Sequence, residues 1–468
     1  MHAIRKARLV FLVITIFSPS ALCQSVDWWV STENAEYQLR PMPPLVLGER
    51  PARRKSLLIN VDDSQVYQSI LGLGASFDHA TCYNISQLPP DAQKRILTKI
   101  VHPEMGIGMN LMRLCMGTPD FTPEPWYSYC DVDAGESDPE LAHFSIEKDK
   151  AYILPVVKLA LSINPDLRFF ASPWSPPAWM KTNESMLAGK LKPEWYDAYA
   201  SYFVKFIKAY ASEGIPIYAV TPQNEPDYPN PEYPTCHWTG EEQRDFIRDH
   251  LGPTFRRAGV ETKIWCWDHN WNLLSFPRTV LSDPQAAHFV DGTGFHHYEG
   301  KVNAQSMLYG EFPDKHVYFT EGSVFRIRGA SRIVEILRNW SRSYNAWVIM
   351  LDENRKPNNG PHSASQTPIE LLNDGTVRYN PDYYLYGQLM KFIPEGAVRI
   401  ETGEVGNDFT HVAFKDGKGA IVLVVVNSIQ KVRQIAVAHG SRYFSAEVPP
   451  KSVATFRWHA DPATDTSS

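Results

Sequence analysis

The chain has 468 residues, 43% of them hydrophobic and 21% charged, which is enough for one large globular domain with a smaller companion. Its net charge is −6 and the charges are spread along the chain, which argues against a nucleic-acid-binding protein and against a polybasic membrane patch. An uncharged partner suits this balance better.

Residues 1–23 match an export signal. Basic residues at positions 5, 6 and 8 precede an apolar run from Leu9 to Phe17, and small residues stand ahead of a cut near Gln24. The run is too short to span a bilayer, and no later apolar stretch reaches that length. We therefore expect a soluble protein that is secreted or delivered to an extracytoplasmic, periplasmic or lysosome-like compartment; a lipid anchor at Cys23 is a minor alternative.

Five cysteines remain after this signal: Cys82, Cys115, Cys130, Cys236 and Cys266. In an exported chain they predict one or two disulfides and a free thiol. No CxxC pair occurs, and His296 and His297 lack a partner at metal-ligand spacing. We expect neither a metal nor a cofactor.

Residues 24–392 contain the patterns that predict the fold of the first part of the chain. Residues 24–66 read as short strands and Pro-rich loops. Residues 67–392 then repeat an apolar run that ends in polar residues, followed by a helical pattern, and eight such runs occur: LGLGASFDH, MNLMRLCMGTPDF, LRFFASPWSPP, IYAVTPQNEP, TKIWCWDHN, GTGFHHYEG, HVYFTEGS and YNAWVIMLDEN. This rhythm predicts an α/β fold with a (β/α)8 TIM barrel.

The helical pattern stops after Phe392. Residues 393–460 alternate as antiparallel strands do, which predicts an attached β-sandwich domain completed by the N-terminal strands. Residues 461–468 form a polar tail that we expect to be disordered.

Two carboxylates end strands of the predicted barrel. Glu225 follows the fourth run and Glu321 the seventh, 96 positions apart, which is three βα units of about thirty residues. Because barrel active sites lie at the carboxyl ends of the strands, the pair should meet at the barrel mouth. Alone, Glu225 before Pro226 could merely cap a helix. As a pair, they suit glycosidic bond cleavage, with Glu225 as acid/base and Glu321 as nucleophile if about 5–5.5 Å separates the carboxyls. The amide of Asn224 could then hydrogen-bond the sugar 2-hydroxyl.

The order of the motifs LGLGASFD, LMRLCMGTPDF, ASPWSPPAWMKTN, VTPQNEP, FHHYEG and YFTEGS resembles glycoside hydrolase family 30, which includes the lysosomal glucosylceramidases. The resemblance runs from about residue 70 to the C-terminal sandwich, and it implies a retaining mechanism with Glu225 as acid/base and Glu321 as nucleophile. It also implies further sugar-binding residues: Arg113 and Asp120 near the sugar, Trp174 at the floor of the pocket, Tyr298 on the nucleophile, Trp347 as an aromatic wall and, as a weaker match, Asp78.

The resemblance leaves the substrate open. The leading expectation is hydrolysis of glucosylceramide or a related β-glucoside, and the alternative is an endo-β-1,6-glucanase of the same family. His297 stands where glucosylceramidase-like sequences commonly carry tryptophan, which puts the aglycone side in doubt. An inactive carbohydrate-binding protein on the same scaffold is the alternative from another class, opposed by the intact carboxylates.

The partners that follow are a small glycoside, a glycolipid or a β-glucan, with no nucleic acid and no protein partner inferred. Five loop aromatics could form rim packing or a platform for peripheral lipid or glycan contact: Trp126, Tyr127, Trp238, Trp267 and Trp271.

Overall fold

The computed structural model describes residues 24–49, 56–323, 325–362, 364, 366–406 and 408–460. The predicted signal (1–23) and tail (461–468) lie outside the described residues. No helix in the described part of the chain is long and apolar enough to cross a membrane.

The first strands are β1 (Gln24–Thr32), β2 (Arg40–Leu47) and β3 (Leu57–Ser69). Eight parallel barrel strands follow: β4 (Gly72–Ala75), β5 (Leu111–Met116), β6 (Arg168–Pro173), β7 (Ile217–Val220), β8 (Lys263–Asn270), β9 (Val290–His296), β10 (His316–Glu321) and β11 (Ser343–Ala346). Strands β5 to β10 pair in sequence order, and β11 pairs with β4. Parallel bridges Ser76–Arg113 and Val317–Ser341 join the two sheets, so the barrel closes as the rhythm of the sequence predicts.

The barrel helices and one later helix are α1 (His79–Ser86), α2 (Pro90–Val101), α3 (Ile153–Ile163), α4 (Tyr196–Ser212), α5 (Gly240–Asp245), α6 (Gly252–Ala258), α7 (Ser275–Leu281), α8 (Pro284–Phe289), α9 (Asn303–Glu311), α10 (Arg326–Arg338) and α11 (Pro381–Met390). Local sequence explains several of their ends. Thr239 and Glu242 form a reciprocal capping box at the start of α5. Helix α6 ends at Gly259, whose φ of 66° lies in the left-handed region that glycine tolerates. A π-helical turn at Phe246–Leu251 joins these two helices.

A small three-stranded sheet follows β11: β12 (Met350–Asp352), β13 (Ile369–Leu371) and β14 (Val377–Tyr379). The strands of the second domain are β15 (Val398–Glu401), β16 (Phe409–Lys415), β17 (Ala420–Asn427), β18 (Arg433–His439), β19 (Arg442–Val448) and β20 (Ser452–His459). The sequence does not predict the small sheet, because its three-residue strands are too short to show a period.

The second domain is one nine-stranded sheet in the order β19-β18-β3-β15-β16-β17-β20-β1-β2. An antiparallel bridge between Gly48 and Tyr443 joins its two edges, so the sheet folds over its own apolar core as a sandwich. Trp28 stacks on Phe456 in that core with ring centroids 5.2 Å apart. The N-terminal strands complete the sandwich as predicted, with β3 paired to both β18 and β15.

The predicted disulfides are wrong. All five described cysteines are free and buried. Each fills a small apolar space or contacts a nearby acceptor: Cys130 Sγ lies 3.3 Å from an Asp138 oxygen, and Cys266 Sγ lies 3.4 Å from Thr293 Oγ1. Free cysteine is among the most buried residue types, so these thiols pack as small apolar side chains.

Candidate active site

The two predicted catalytic carboxylates meet at the carboxyl ends of the barrel strands. Glu321 is the last residue of β10, and Glu225 lies in the loop after β7. The backbone of Glu225 has a φ of 49° in the left-handed region, and its N–H donates to the carbonyl of Asp268 at 3.0 Å. This hydrogen bond holds a strained backbone and aims the side chain of Glu225 toward β9.

Arg113 on β5 holds Glu321 from inside the barrel. Its Nη1 donates to Glu321 Oε2, and its Nη2 donates to Asn224 Oδ1 at 2.8 Å and to Asp268 Oδ2 at 3.0 Å. Burial alone would lower the pKa of Arg113, but the charges of Asp268 and Glu321 raise it above its ordinary value. Tyr298 Oη donates to the other oxygen of Glu321 at 2.8 Å. Both oxygens of Glu321 therefore accept hydrogen bonds, which fixes its orientation.

A fully buried carboxylate, Asp268 at the end of β8, organises the floor of the site. Five side chains lie within hydrogen-bond distance of its two oxygens: Arg113 at 3.0 Å, Ser172 at 2.8 Å, Thr221 at 2.6 Å, His296 at 3.0 Å and Thr320 at 2.6 Å. Burial alone would raise the pKa of Asp268, but Arg113 and His296 hold it well below its usual range.

His296 at the end of β9 bridges the carboxylates. Its Nε2 lies 3.0 Å from Asp268 Oδ1, and its Nδ1 lies 3.1 Å from Glu225 Oε1 and 3.8 Å from Glu321 Oε1. The two facing glutamate oxygens are therefore no more than about 7 Å apart, so His296 holds them on the same side of the barrel mouth. Burial alone would lower the pKa of His296, but Glu321, Asp268 and Glu225 raise it to about 9.

Glu225 has two histidine neighbours. His269 Nδ1 lies 3.4 Å from the same oxygen that faces His296. Burial alone would raise the pKa of Glu225, but His269 and His296 hold it well below its usual range. These directions place the proton of the His296–Glu225 pair on the His296 imidazole and not on the Glu225 carboxyl. The imidazole Nδ1 lies 3.1 Å from Glu225 Oε1, within hydrogen-bond distance.

These carboxylates face a cavity of about 560 Å³. Its described lining is mostly polar and aromatic: Asp120, Phe121, Glu225, Asp227, Tyr228, Tyr233, His269, Asn270, Asn272, Tyr298, Glu299, Glu321, Ser323, Phe325, Trp347, His362 and Ala364. Concave sites of this size that combine aromatic faces with converging polar groups are typical of small-molecule and sugar binding.

Asp120 presents an unused acceptor to this cavity. Its Oδ1 is buried and has no hydrogen-bond partner in the described chain, while its backbone carbonyl accepts from the N–H groups of Asn359 and Gly360 at 2.9 and 3.3 Å. Burial, together with the charges of Glu321 and Glu225, raises the pKa of Asp120 well above its ordinary value. A ligand hydroxyl would satisfy this oxygen, because a buried polar atom without a partner is costly.

Two family models match the chain. The model described as the glycosyl hydrolase family 30 TIM-barrel domain matches residues 70–393, and the model described as the family 30 beta sandwich domain matches residues 396–456. The chain belongs to glycoside hydrolase family 30.

The relatives of this chain include endo-1,6-beta-D-glucanases and glucosylceramidases. The chain is 30% identical over 475 residues to an endo-1,6-beta-D-glucanase of Neurospora crassa, which covers 95% of this chain and 96% of the relative. It is 30% identical over 441 residues to the lysosomal acid glucosylceramidase of Mus musculus, which covers 86% of this chain and 83% of the relative. A solved endo-beta1,6-glucanase structure superposes with a TM-score of 0.85 at 31% identity, covering 93% of this chain and 100% of that chain. The predicted family, architecture and retaining glycosidase class are thus confirmed.

The structure brings most of the predicted site residues of this family 30 enzyme together. Asp120, Tyr298 and Trp347 line the cavity with the two glutamates, and Arg113 and Asn224 lie directly behind Glu321. Since Asn224 Oδ1 accepts from Arg113, the donor side of its amide is the side that remains for a ligand.

Two other predicted residues, Trp174 and Asp78, also lie away from the cavity lining. Trp174 is 2% exposed and stacks behind Trp347 with ring centroids 5.0 Å apart, while its ring also lies 4.9 Å from the Arg113 guanidinium carbon. Asp78 is fully buried and caps α1 by accepting from Thr81 N at 3.0 Å and Thr81 Oγ1 at 2.8 Å. Burial raises the pKa of Asp78 to about 7. The contacts of Asp78 are those of a helix cap.

Sequence reasoning missed Asp268, His269 and the bridging role of His296. The fifth apolar run ends in WDHN. Polar residues at the carboxyl end of a barrel strand are site candidates, so the rule that selected Glu225 and Glu321 also selects Asp268 and His269. Four of the five loop aromatics are at most 3% exposed, so they are packing residues; Trp126 is partly buried beside Trp174 and Trp347. They do not form the exposed platform that the lipid or glycan alternative requires.

Proposed function

We propose that this family 30 hydrolase is an endo-β-1,6-glucanase that cleaves its substrate with retention through Glu225 and Glu321. The observation that carries the choice of a glucan is the chemistry of the cavity. None of its described lining residues is leucine, isoleucine, valine or methionine, whereas hydroxyl-binding groups and aromatic faces are plentiful. A sugar polymer suits such a lining, because polar groups fix the hydroxyls and aromatic rings pack on the pyranose faces.

In the first step, Glu321 attacks the anomeric carbon and forms a glycosyl ester, while Glu225 gives a proton to the departing glucan oxygen. Arg113 and Tyr298 hold the attacking carboxylate by one donor on each oxygen. The proton comes from the His296–Glu225 pair, whose atoms lie 3.1 Å apart. As the negative charge of Glu321 is lost in the new ester, the ionised form of Glu225 is no longer opposed by that charge, which favours release of the proton to the leaving oxygen.

In the second step, ionised Glu225 takes a proton from a water molecule, which attacks the anomeric carbon and releases Glu321. The two inversions leave the β configuration unchanged. Asp120 and Asn224 are placed to bind ring hydroxyls, and contacts of this kind lower the barrier where they tighten in the transition state.

Glucosylceramide hydrolysis is the second candidate. It is supported by the 30% identity to the mouse lysosomal acid glucosylceramidase. The same catalytic pair would serve, but the two aliphatic chains of ceramide would find only Ala364 and aromatic rings in the described lining. We also propose that the protein acts outside the cytoplasm, on the strength of its N-terminal signal pattern.

The deciding experiment incubates the protein with linear β-1,6-glucan and, separately, with glucosylceramide in detergent micelles. Soluble oligosaccharides of several lengths from the glucan would support the proposal, and their loss in Glu225→Gln and Glu321→Gln would tie the activity to this pair. Glucose and ceramide from the lipid alone would move the substrate to the second candidate. Binding of either substrate without turnover would favour a carbohydrate-binding protein instead.

A further inference from the structure

We propose that Glu225, His269 and His296 form a binding site for a borderline transition-metal dication, such as Zn²⁺, and that a bound ion stops turnover. The binding itself rests on the geometry of these three residues alone. Only the predicted loss of turnover rests on the proposed function, since it depends on Glu225 being the acid/base.

The spacing of the three side chains fits a tetrahedral ion. One ligand atom from each lies within 4.8 Å of the other two. Glu225 Oε1 is 3.1 Å from His296 Nδ1 and 3.4 Å from His269 Nδ1. Ligands about 2.0–2.1 Å from a tetrahedral zinc stand roughly 3.3 Å from each other. Glu225 already has this separation from both imidazoles.

A second observation points to a ligand. His269 is 6% exposed, and its buried Nδ1 lies 3.4 Å from Glu225 Oε1 without forming a hydrogen bond to that oxygen or to any other group of the described chain. A buried ring nitrogen without a hydrogen bond is costly. A metal ion would satisfy this atom directly.

The surroundings of His296 match those of metal-binding histidines. Its other nitrogen, Nε2, lies 3.0 Å from Asp268 Oδ1. Metal-ligating histidines commonly donate their second N–H to a carboxylate, which fixes the tautomer and leaves the opposite nitrogen free for the ion. In neutral His296 that opposite nitrogen is Nδ1, which faces Glu225.

The charge balance favours a dication. A bound ion displaces the proton of His296; with both imidazoles then neutral, the carboxylates of Glu225, Glu321 and Asp268 oppose one buried cation, Arg113, and leave two negative charges for the dication to balance. Glu321 Oε1 lies 3.8 Å from His296 Nδ1 and is available as a further oxygen ligand or as a nearby countercharge. Imidazole and carboxylate ligands suit Zn²⁺, Cu²⁺ or Ni²⁺, whereas Mg²⁺ prefers an all-oxygen octahedron.

The cavity provides both entry and an open coordination position. Glu225 and His269 line it, so an ion can enter from the side that the substrate uses. Three protein ligands leave the fourth position to a water molecule, as in catalytic zinc sites. Because the ion occupies Glu225, metal and substrate should exclude each other.

The test measures Zn²⁺ binding to the full chain by titration calorimetry without substrate. We expect one tight site per chain and no binding of Mg²⁺. Co²⁺ should give the visible absorption of a four-coordinate N/O site. His269→Gln should weaken Zn²⁺ at least tenfold, while His362→Gln, which removes a cavity histidine that is not a ligand, should retain the tight site. If His269→Gln fails to fold, Glu225→Gln removes a different ligand and should weaken Zn²⁺ in the same way.

A parallel assay follows hydrolysis of an aryl β-glucoside. Zn²⁺ should inhibit competitively, and EDTA should restore the full rate. The proposal is overturned if no one-to-one site exists, or if the folded ligand variants bind Zn²⁺ as tightly as the wild type. Tight binding without inhibition would retain the metal site and instead contradict the acid/base role of Glu225.

Discussion

Acidification should weaken the barrel through His79, and replacing this residue by phenylalanine should remove part of that effect. His79 is the first residue of α1, is 1% exposed and packs between the rings of Tyr127 and Tyr152. Burial lowers its pKa to about 3. His79→Phe keeps an aromatic ring in this space but cannot take up a proton.

The sign follows from proton binding in the two states. Unfolded His79 titrates near 6.5, so below that pH the unfolded chain binds a proton that the folded chain does not. The contribution of neutral His79 to the stability of the folded state is therefore present above pH 6.5 and is lost as the pH falls toward 3. Between pH 7 and pH 5, this one group costs the folded state about 2 kcal/mol. For a chain of this length that unfolds as one unit, this amounts to about 2 °C in the melting temperature.

The assay is calorimetric melting of wild type and His79→Phe at pH 7 and pH 5, which compares the loss of melting temperature on acidification within each variant. A constant loss of packing or hydrogen bonding cancels in that comparison. His459→Phe is the matched control, because His459 is exposed at the end of β20. An equal acid-induced loss in wild type and His79→Phe would refute the argument that buried, neutral His79 contributes to the acid sensitivity.

Three further outcomes are expected. Glu225→Gln should lower kcat/KM about 10²–10⁴-fold for an alkyl β-glucoside, but much less for one with an acidic phenol as leaving group, as measured by initial rates across a leaving-group series; an equal loss for both would contradict the acid role. Gly360→Ala should raise KM with little change in melting temperature, because the new Cβ would stand 2.6 Å from the Cβ of Asp120 and displace this residue of the cavity lining. Gly310→Ala is the control: its Cβ would have nothing within 4 Å, so its KM and melting temperature should match those of the wild type. Asp268→Asn should lower the stability by about 3–5 kcal/mol in denaturant unfolding, because it breaks the buried Arg113–Asp268 ion pair, whose atoms lie 3.0 Å apart; a variant as stable as the wild type would show that this pair does not stabilise the fold.

The barrel and the meeting of Glu225 and Glu321 at its mouth were predictable because one period fixes both. Each βα unit places a strand end at the same face, so the spacing of Glu225 and Glu321 carries three-dimensional information without any knowledge of loops. The sandwich was predictable for a similar reason, since alternation along residues 393–460 persists through several strands.

Other features depend on contacts between distant segments. The cysteines were assigned to disulfides from composition and compartment, whereas pairing depends on which thiols the fold brings within bonding distance. The position of Trp174 behind Trp347 depends on the packing of two different strand-end loops, which no local pattern shows. The lining of the cavity comes in part from the loops after β7, β9 and β12, which contribute Tyr233, Tyr298 and His362.

Asp268 explains why such loops, rather than the barrel, are the places where specificity can change. The groups around its two oxygens come from β5, β6, β9, β10 and the residue after β7, and two of them, Arg113 and His296, also contact the proposed catalytic glutamates. A change at any of these positions alters the charge or the position of both glutamates at once, because the side chains share one buried carboxylate. The loop residues of the cavity carry no such coupling to Asp268 among the described contacts. Changes in aglycone specificity should therefore be reached by substitutions in the loops, and substitutions around Asp268 should reduce turnover of every substrate alike.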